Sequence, residues 1–580
     1  MTSADGQRWK AGPRGLPPSE SSRPTLVGDH WMAVTGHPLT ALVAGQVLEA
    51  GGNAIDAGVA AGLATNVVQV DMCNLAGIAP ILVRPAGSSE VMSVAGVGRW
   101  SSTATVDGYL ERHGAEMPPG CAASIVPGAL AAWISALERF GTWSFADVAT
   151  PAIELATEGF VLDATVATVL GLAARVYGQW PSSAEIYCPE GRPARVGDRL
   201  VQRDLGRLLT RLAGAETGPG AGSDRSARLA AVRAAFYQGE VAEAIAGFVT
   251  AEGGFLTTDD LAGFRAEVAP APARRFPGLG GLTVHVTPPE WSQGPALLQA
   301  LAVLSRFDLE ALGHNSAAYL HLLVETVKLA FSDRERFYGD GAPVDLDTLL
   351  SDGHAAELAA MIRPDAVLPD LFTLRSAADG IPSTTHLAVV DTEGNAFSSA
   401  PSDTLAMAPI VPGLGVMVSG RGVQSRTDPS HPAALGPRRR PRVTPSPAIV
   451  LDEEGRVWPI SCPGGDVILQ AMLQSFLNVA VFGMTEQQAV EAPRAVSLGF
   501  PNSFHPHQHP EGMVTVESRV PDAVMEGLAA LGHDVRRWPP YEFEAGSVGM
   551  IRQRPPSEPG GRATLRAGAD PRRAAYALGR

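Results

Sequence analysis

Apolar residues recur at helical spacing through much of the first two-thirds of the chain and at strand spacing beyond it. Pro38 opens a segment in which Leu39, Leu42, Val43, Val47 and Leu48 repeat at helical intervals, and Gly51-Gly52 closes it. A second apolar helix is predicted from Asn53 to about Val70, where Ala and Gly suit close packing in an interior. The clearest amphipathic helix is predicted after the cap pair Asn315-Ser316. Tyr319, Leu322, Leu323, Val327, Ala330 and Phe331 line one side of it, and Glu325, Lys328 and Asp333 lie off that side. The Gly-rich polar stretch from Gly214 to Ala227 reads as a mobile loop.

The texture changes near Ser383. His386 to Asp391 (HLAVVD) is a short apolar strand, Thr392 to Asn395 a turn, and AFSSAPS the returning strand. Pro447 to Cys462 repeats the hairpin pattern. Pro463-Gly464-Gly465 then leads into a helix from Asp466 to about Phe482. Helices followed by hairpins that feed another helix predict sheets held between helical layers. The sequence has no fixed-period repeat.

Composition narrows the classes. The 580 residues are 45% hydrophobic and 18% charged, enough apolar material for a large core. A net charge of -15 argues against a nucleic-acid footprint, which needs a basic face, but leaves small anionic substrates open. Cys73, Cys121, Cys188 and Cys462 form no CxxC pair, so free thiols in a reducing, cytoplasmic compartment are expected. The first thirty residues hold no apolar run. They are expected to be a disordered lead-in rather than a signal peptide or membrane anchor.

No GxSxG elbow, HExxH or Walker A loop is present, and no metal or cofactor is expected. At Ser383-Thr384-Thr385-His386 a hydroxyl pair stands at the mouth of a strand. A threonine hydroxyl is a weak nucleophile until a base takes its proton, and a free α-amine, with a pKa of about 7.7–8.0, can be that base. Freeing it requires a cut before Thr384. Taken alone, the pair is an ordinary strand start. Ser461-Cys462-Pro463-Gly464-Gly465 offers bare backbone N–H groups before a helix, as an oxyanion hole needs. Taken alone, it is an ordinary tight turn.

Together these pieces form a pattern. VTGHPLTALVAGQVLEAGGNAIDAGVAAGLA (Val34 to Ala64) resembles the amino-terminal signature of gamma-glutamyltransferases. IVPGALAAW, AIELATEGF, FYQGEVAEAIAGF, GGFLTTDDLAGF and ALGHNSAAYLHLLVETVKLAFSDRERF follow in the family's order. STTHLAVVDTEGNAFS resembles its processing site, CPGG its oxyanion loop and GADPRR its closing motif. The resemblance implies an α+β fold, the αββα sandwich of N-terminal-nucleophile hydrolases, made from fragments 31–383 and 384–580 that stay together as a heterodimer, with further dimerisation left open. It implies that Thr384 is the nucleophile, released from Ser383 by self-cleavage. Ser402 falls at a supporting hydroxyl, Gly464 and Gly465 at the oxyanion donors, and Arg99 where an arginine grips a substrate carboxylate.

The chain departs from the family where a glutamyl α-ammonium would be held. Within Gly415 to Asp428, Arg421 and Gln424 fall at the amide and acid positions, and a small gap would instead make Asp428 the acid. Thr404 replaces an asparagine, and Val443-Thr444 a serine pair. Leaving an ammonium desolvated without its carboxylate costs several kcal/mol. The expectation is therefore a hydrolase of a small carboxylated amide without an α-ammonium, oxamate-like, gripped by Arg99 and Arg421, with Gln424, Thr404 and Thr444 nearby. Other readings are glutathione hydrolysis, the antibiotic-pathway branch that hydrolyses a carbon–carbon bond, and an unprocessed binding protein. His505, His507 and His509 are read as a surface or pocket-edge loop, and GPRRRPR (Gly436 to Arg442) as a solvated basic loop.

Overall fold

Strand Leu387–Val390 shows why the chain makes layers. Leu387 and Val389 point to a core shared with helices Pro38–Glu49 and Ala54–Val68, while Ala388 and Val390 point the other way, into a second core. Side chains alternate along a strand, so four buried apolar residues in a row predict cover on both faces. Strand Ala448–Leu451 repeats this. Ile449 and Leu451 join the second core, and Ala448 and Val450 face helices Gly294–Leu304, Ala317–Phe337 and Val467–Ala480. Two antiparallel sheets therefore stack face to face through a layer of small and branched residues, with helices outside each. The architecture is αββα.

This computed structural model describes residues 21–341, 343–369, 371, 384–556 and 561–580. One seven-stranded sheet has the order 26–28, 564–569, 549–554, 457–461, 448–451, 282–286, 273–276. The other runs 576–579, 32–35, 387–390, 396–399, 81–84, 92–94, 268–270. Every pairing within them is antiparallel. Each sheet mixes strands from before and after residue 384.

Several predicted elements form as read. Pro38 opens helix Pro38–Glu49, and Asn53 caps helix Ala54–Val68 in a capping box with Asp56. Two expectations are corrected. Glu325, Lys328 and Asp333 are buried along with the apolar side of helix Ala317–Phe337, because partners wait for them within the fold. The stretch read as a loop from Gly214 connects helices Arg203–Ala215 and Arg225–Tyr237 through 216–224, where buried Glu216 accepts from the N–H groups of Phe145 and Ala146 and Asp224 caps the second helix. Within the expected lead-in, Leu26–Gly28 is an edge strand on 564–569, and Ser22 is bonded to Glu491. No helix of the described residues is long and apolar enough to cross a membrane.

Candidate active site

Thr384 stands three residues before strand Leu387–Val390, in the interior of the second sheet, and is fully buried. Its Oγ1 lies 2.8 Å from Ser402 Oγ. Ser402 follows the neighbouring strand Ala396–Ser399 and is tied at the backbone to Ile78, donating 2.9 Å to its carbonyl and accepting from its N–H at 3.3 Å. Thr385 fixes the next link: its N–H donates to Pro401 O at 3.0 Å and its hydroxyl to Gln69 Oε1 at 2.7 Å. Gly36 closes the space behind it. A methyl at Gly36 would overlap Thr385 Oγ1 and approach Gln69 Oε1 to 2.8 Å, so this position has room for hydrogen alone. His386 packs on Gly549, and neither ring nitrogen has a partner among the described residues. Burial pushes its pKa down to about 4, so the ring is neutral near pH 7 and is not bonded to Thr384.

Ser402 Oγ also accepts from Arg421 Nη2. Arg421 is fully buried in the turn Arg421–Gln424. Its Nε donates to Asp403 Oδ1 at 3.0 Å and its Nη1 to Gln424 Oε1 at 3.1 Å. Gln424 Nε2 passes the link to Thr444 Oγ1 at 3.3 Å, and the Phe504 ring lies 5.3 Å from the guanidinium. Burial pushes the Asp403 carboxyl up to about 6, against the pull of Arg421, so above that pH the two form an ion pair. A buried pair of this kind holds geometry more than it adds stability.

Strand Val457–Ser461 ends at Cys462, and Gly464 and Gly465 hold φ of +134° and +63° before helix Val467–Ala480. Their carbonyls accept from Val467 and Ile468 N–H, while among the described residues their own N–H groups have no acceptor. Asp466 pins the loop: one oxygen takes Arg334 Nη1 and Ser503 Oγ, the other Ser503 N–H at 2.7 Å. Gln293 Nε2 donates to Thr444 O at 3.2 Å and reaches Gly465 O at 3.5 Å. Contacts thus run from Thr384 through Ser402, Arg421, Gln424, Thr444 and Gln293 to Gly465. A hydroxyl pair, an arginine that can only donate and a loop with two bare N–H groups, linked by these contacts, suit an acyl transfer with an oxyanion intermediate.

The structure brings together Thr384, Ser402, Arg421, Gln424, Thr444 and the glycine loop. Ser383 lies outside the described residues. Thr404 is buried beside Asp403, its hydroxyl without a partner among the described residues. Arg99, expected at a substrate carboxylate, is instead half-buried and ion-paired, with Glu267 and Asp340 each 3.0 Å away. Asp428 is exposed and bonded to Ser430, away from Gln424. The loop expected to be a solvated basic run buries Arg440 and Arg442, because Glu267 and Glu335 neutralise them. The histidine loop meets the site at its edge: His505 N–H donates to Val423 O at 2.8 Å, and His507 is bonded to the carbonyls of Asn502 and Ser425. Sequence reasoning missed Asp403, Gln293, Gln69 and Phe504. Phe504 had one signal, its place in that histidine loop.

Known proteins match this chain over most of its length. The chain is 30% identical over 561 residues to the acylase ACY 1 proenzyme of Pseudomonas sp. (strain SE83), covering 94% of this chain and 93% of the relative. It is 28% identical to the oxamate amidohydrolase proenzyme of Klebsiella pneumoniae, over 91% of this chain and 96% of that one. The solved structure of LmbA2991HD superposes with a TM-score of 0.87 at 34% identity, covering 97% of this chain and all of the other. The sequence profile of gamma-glutamyltranspeptidases matches residues 40–579, and this chain belongs to the gamma-glutamyltranspeptidase family.

Proposed function

We propose that the chain is a self-processing hydrolase with Thr384 as nucleophile, acting on small carboxylated amides that lack an α-ammonium, oxamate-like in shape. The observation that carries it is the Thr384–Ser402 hydroxyl pair, 2.8 Å apart at the head of an interior strand and backed by Arg421. In processing, Thr384 Oγ1 attacks the Ser383 carbonyl and the acyl group moves from nitrogen to oxygen. Water then hydrolyses the ester, leaving Ser383 as a carboxylate and Thr384 with a free amine. In turnover that amine takes the hydroxyl proton as Oγ1 adds to the substrate carbonyl. It returns the proton to the departing nitrogen, which leaves as ammonia, and water releases the acid from the acyl-enzyme. Gly464 and Gly465 N–H groups receive the oxyanion, each worth about 2.7–4 kcal/mol in such sites.

The wall beside Ser402 favours a short acyl group. Arg421 stands two hydrogen bonds from Thr384 Oγ1, and in this reading an oxygen next to the scissile carbonyl lies on its side. An α-ammonium there would meet a guanidinium and find Gln424 in place of an acid. A relative named as an oxamate amidohydrolase fits the same reading. The test is the denatured mass of the purified protein, sequencing of the smaller fragment, and ammonia release from oxamate beside glutathione hydrolysis. Two fragments, the smaller beginning at Thr384, with ammonia from oxamate are expected. Thr384→Ala should abolish processing and turnover, and Thr384→Ser should keep part of each. A Thr384→Ala protein that still cleaves itself, or brisk glutathione hydrolysis with oxamate untouched, would overturn the reading.

A further inference from the structure

Asp403 stands between Ser402 and Thr404, and nothing in the proposed reaction uses it. Its backbone holds φ of +110°, a region that residues with a side chain rarely adopt and that persists where the surroundings demand it. Its side chain is fully buried, with Oδ1 3.0 Å from Arg421 Nε. The same guanidinium places Nη2 on Ser402 Oγ, the hydroxyl beside Thr384. A planar fork held at one nitrogen has its other donors aimed, which an unanchored arginine would not.

We propose that Asp403 is a positioning residue of this site: by holding Arg421 Nε it aims Nη2 at Ser402 Oγ, and so sets the hydroxyl that stands beside Thr384. The inference rests on the Thr384 reading above and deepens it. Oδ1 is engaged by Arg421, while the buried Oδ2, beside Gly77, has no hydrogen-bond partner among the described residues. Above about pH 6 the pair is neutral as a whole. Below about pH 6 Asp403 takes up a proton, and Arg421 loses the charge that holds it.

The test compares the self-cleaved protein with Asp403→Asn, a change of charge without change of shape. In the variant, kcat for oxamate should fall about 10- to 100-fold, the range for displaced positioning groups, while KM stays nearly constant. The acid limb of the kcat profile should also flatten. Asp403→Glu should recover that limb. An Asn variant with unchanged kcat and an unchanged acid limb overturns the inference and leaves the Thr384 reading standing. A wild-type protein that is neither cleaved nor active overturns both. If the Asn variant does not fold, the paired change Asp403→Leu with Arg421→Met removes both charges together. Wild-type oxamate turnover by that protein would equally overturn the inference.

Discussion

Gly36 marks how tightly the residues around Thr384 are set. Thr385 hydroxyl, Gln69 amide and the Gly36 backbone fill one small volume, so Gly36→Ala must push Thr385 away from Gln69 and shift Thr384 with it. Processing should slow by about 100-fold, the scale of an ångström-sized misplacement, with the fold retained. Cleavage followed by denatured mass over days would check this, and wild-type kinetics would contradict it. At this scale the sequence was legible where a motif is contiguous. Thr384 before HLAVVD and the glycine loop between a strand and a helix each pass for ordinary turns alone, and stand out only with the family's other motifs around them. Asp403 was not legible, since an acid among small polar residues reads as a turn residue, and its meaning depends on Arg421, eighteen positions later. Arg99 is the complementary case: its type suits a carboxylate, and in the structure it pairs with those of Glu267 and Asp340. Arg99→Ala should accordingly leave the oxamate KM within about twofold, the outcome for a side chain outside the substrate contact. A large rise would restore it to the grip.

Helix Ala317–Phe337 carries the lesson for elements. Periodicity gave its start and its apolar side and set three charged residues off that side, and the structure buries all three. Lys328 Nζ reaches Glu325 at 3.3 Å and donates to Leu368 O at 3.0 Å, while Glu325 accepts from Leu368 N–H at 2.6 Å. His321 adds links to His533 at 2.8 Å and to Arg363 O at 2.7 Å. This polar knot fastens the segment Arg363 to Leu368 to the helix. Glu325 in this knot already pairs with a cation, the Lys328 ammonium. Such partners come from distant chain, which is why a single-helix pattern cannot foresee them. Lys328→Met should lower stability by about 3–5 kcal/mol, the range for a buried charge left unpaired. Adding Glu325→Gln should recover part of that loss, and urea titration of both variants would decide it.

For the molecule as a whole, acid should weaken the fold before it protonates the ordinary carboxylates. Burial lowers the pKa of His285, His386 and His533 to about 4, and lowers those of His314, His431 and His507. A histidine whose folded pKa lies below its unfolded 6.5 contributes stability above that value, and the contribution is lost as the pH falls toward the folded one. Asp71, Asp391 and Asp403, raised by burial, act in the opposite sense because the folded state keeps their protons. Six groups outweigh three. The urea midpoint should fall between pH 7 and pH 5, and a flat midpoint would contradict the balance. The layered fold itself was readable, since hairpins between helical stretches leave few other ways to bury both faces of a strand.

The mixing of strands in both sheets has a further consequence for a chain cut before Thr384. The piece before it supplies three strands of the first sheet and four of the second, and the piece after it supplies the rest. Neither piece can build a complete sheet alone. An intact chain folds as one body at a rate independent of concentration, whereas two pieces must find each other. Refolding yield after denaturation should therefore depend on concentration for the cleaved protein and not for Thr384→Ala. The cut would turn a reversible equilibrium into a ratchet, and every working molecule would be a record that its chain folded before it was broken.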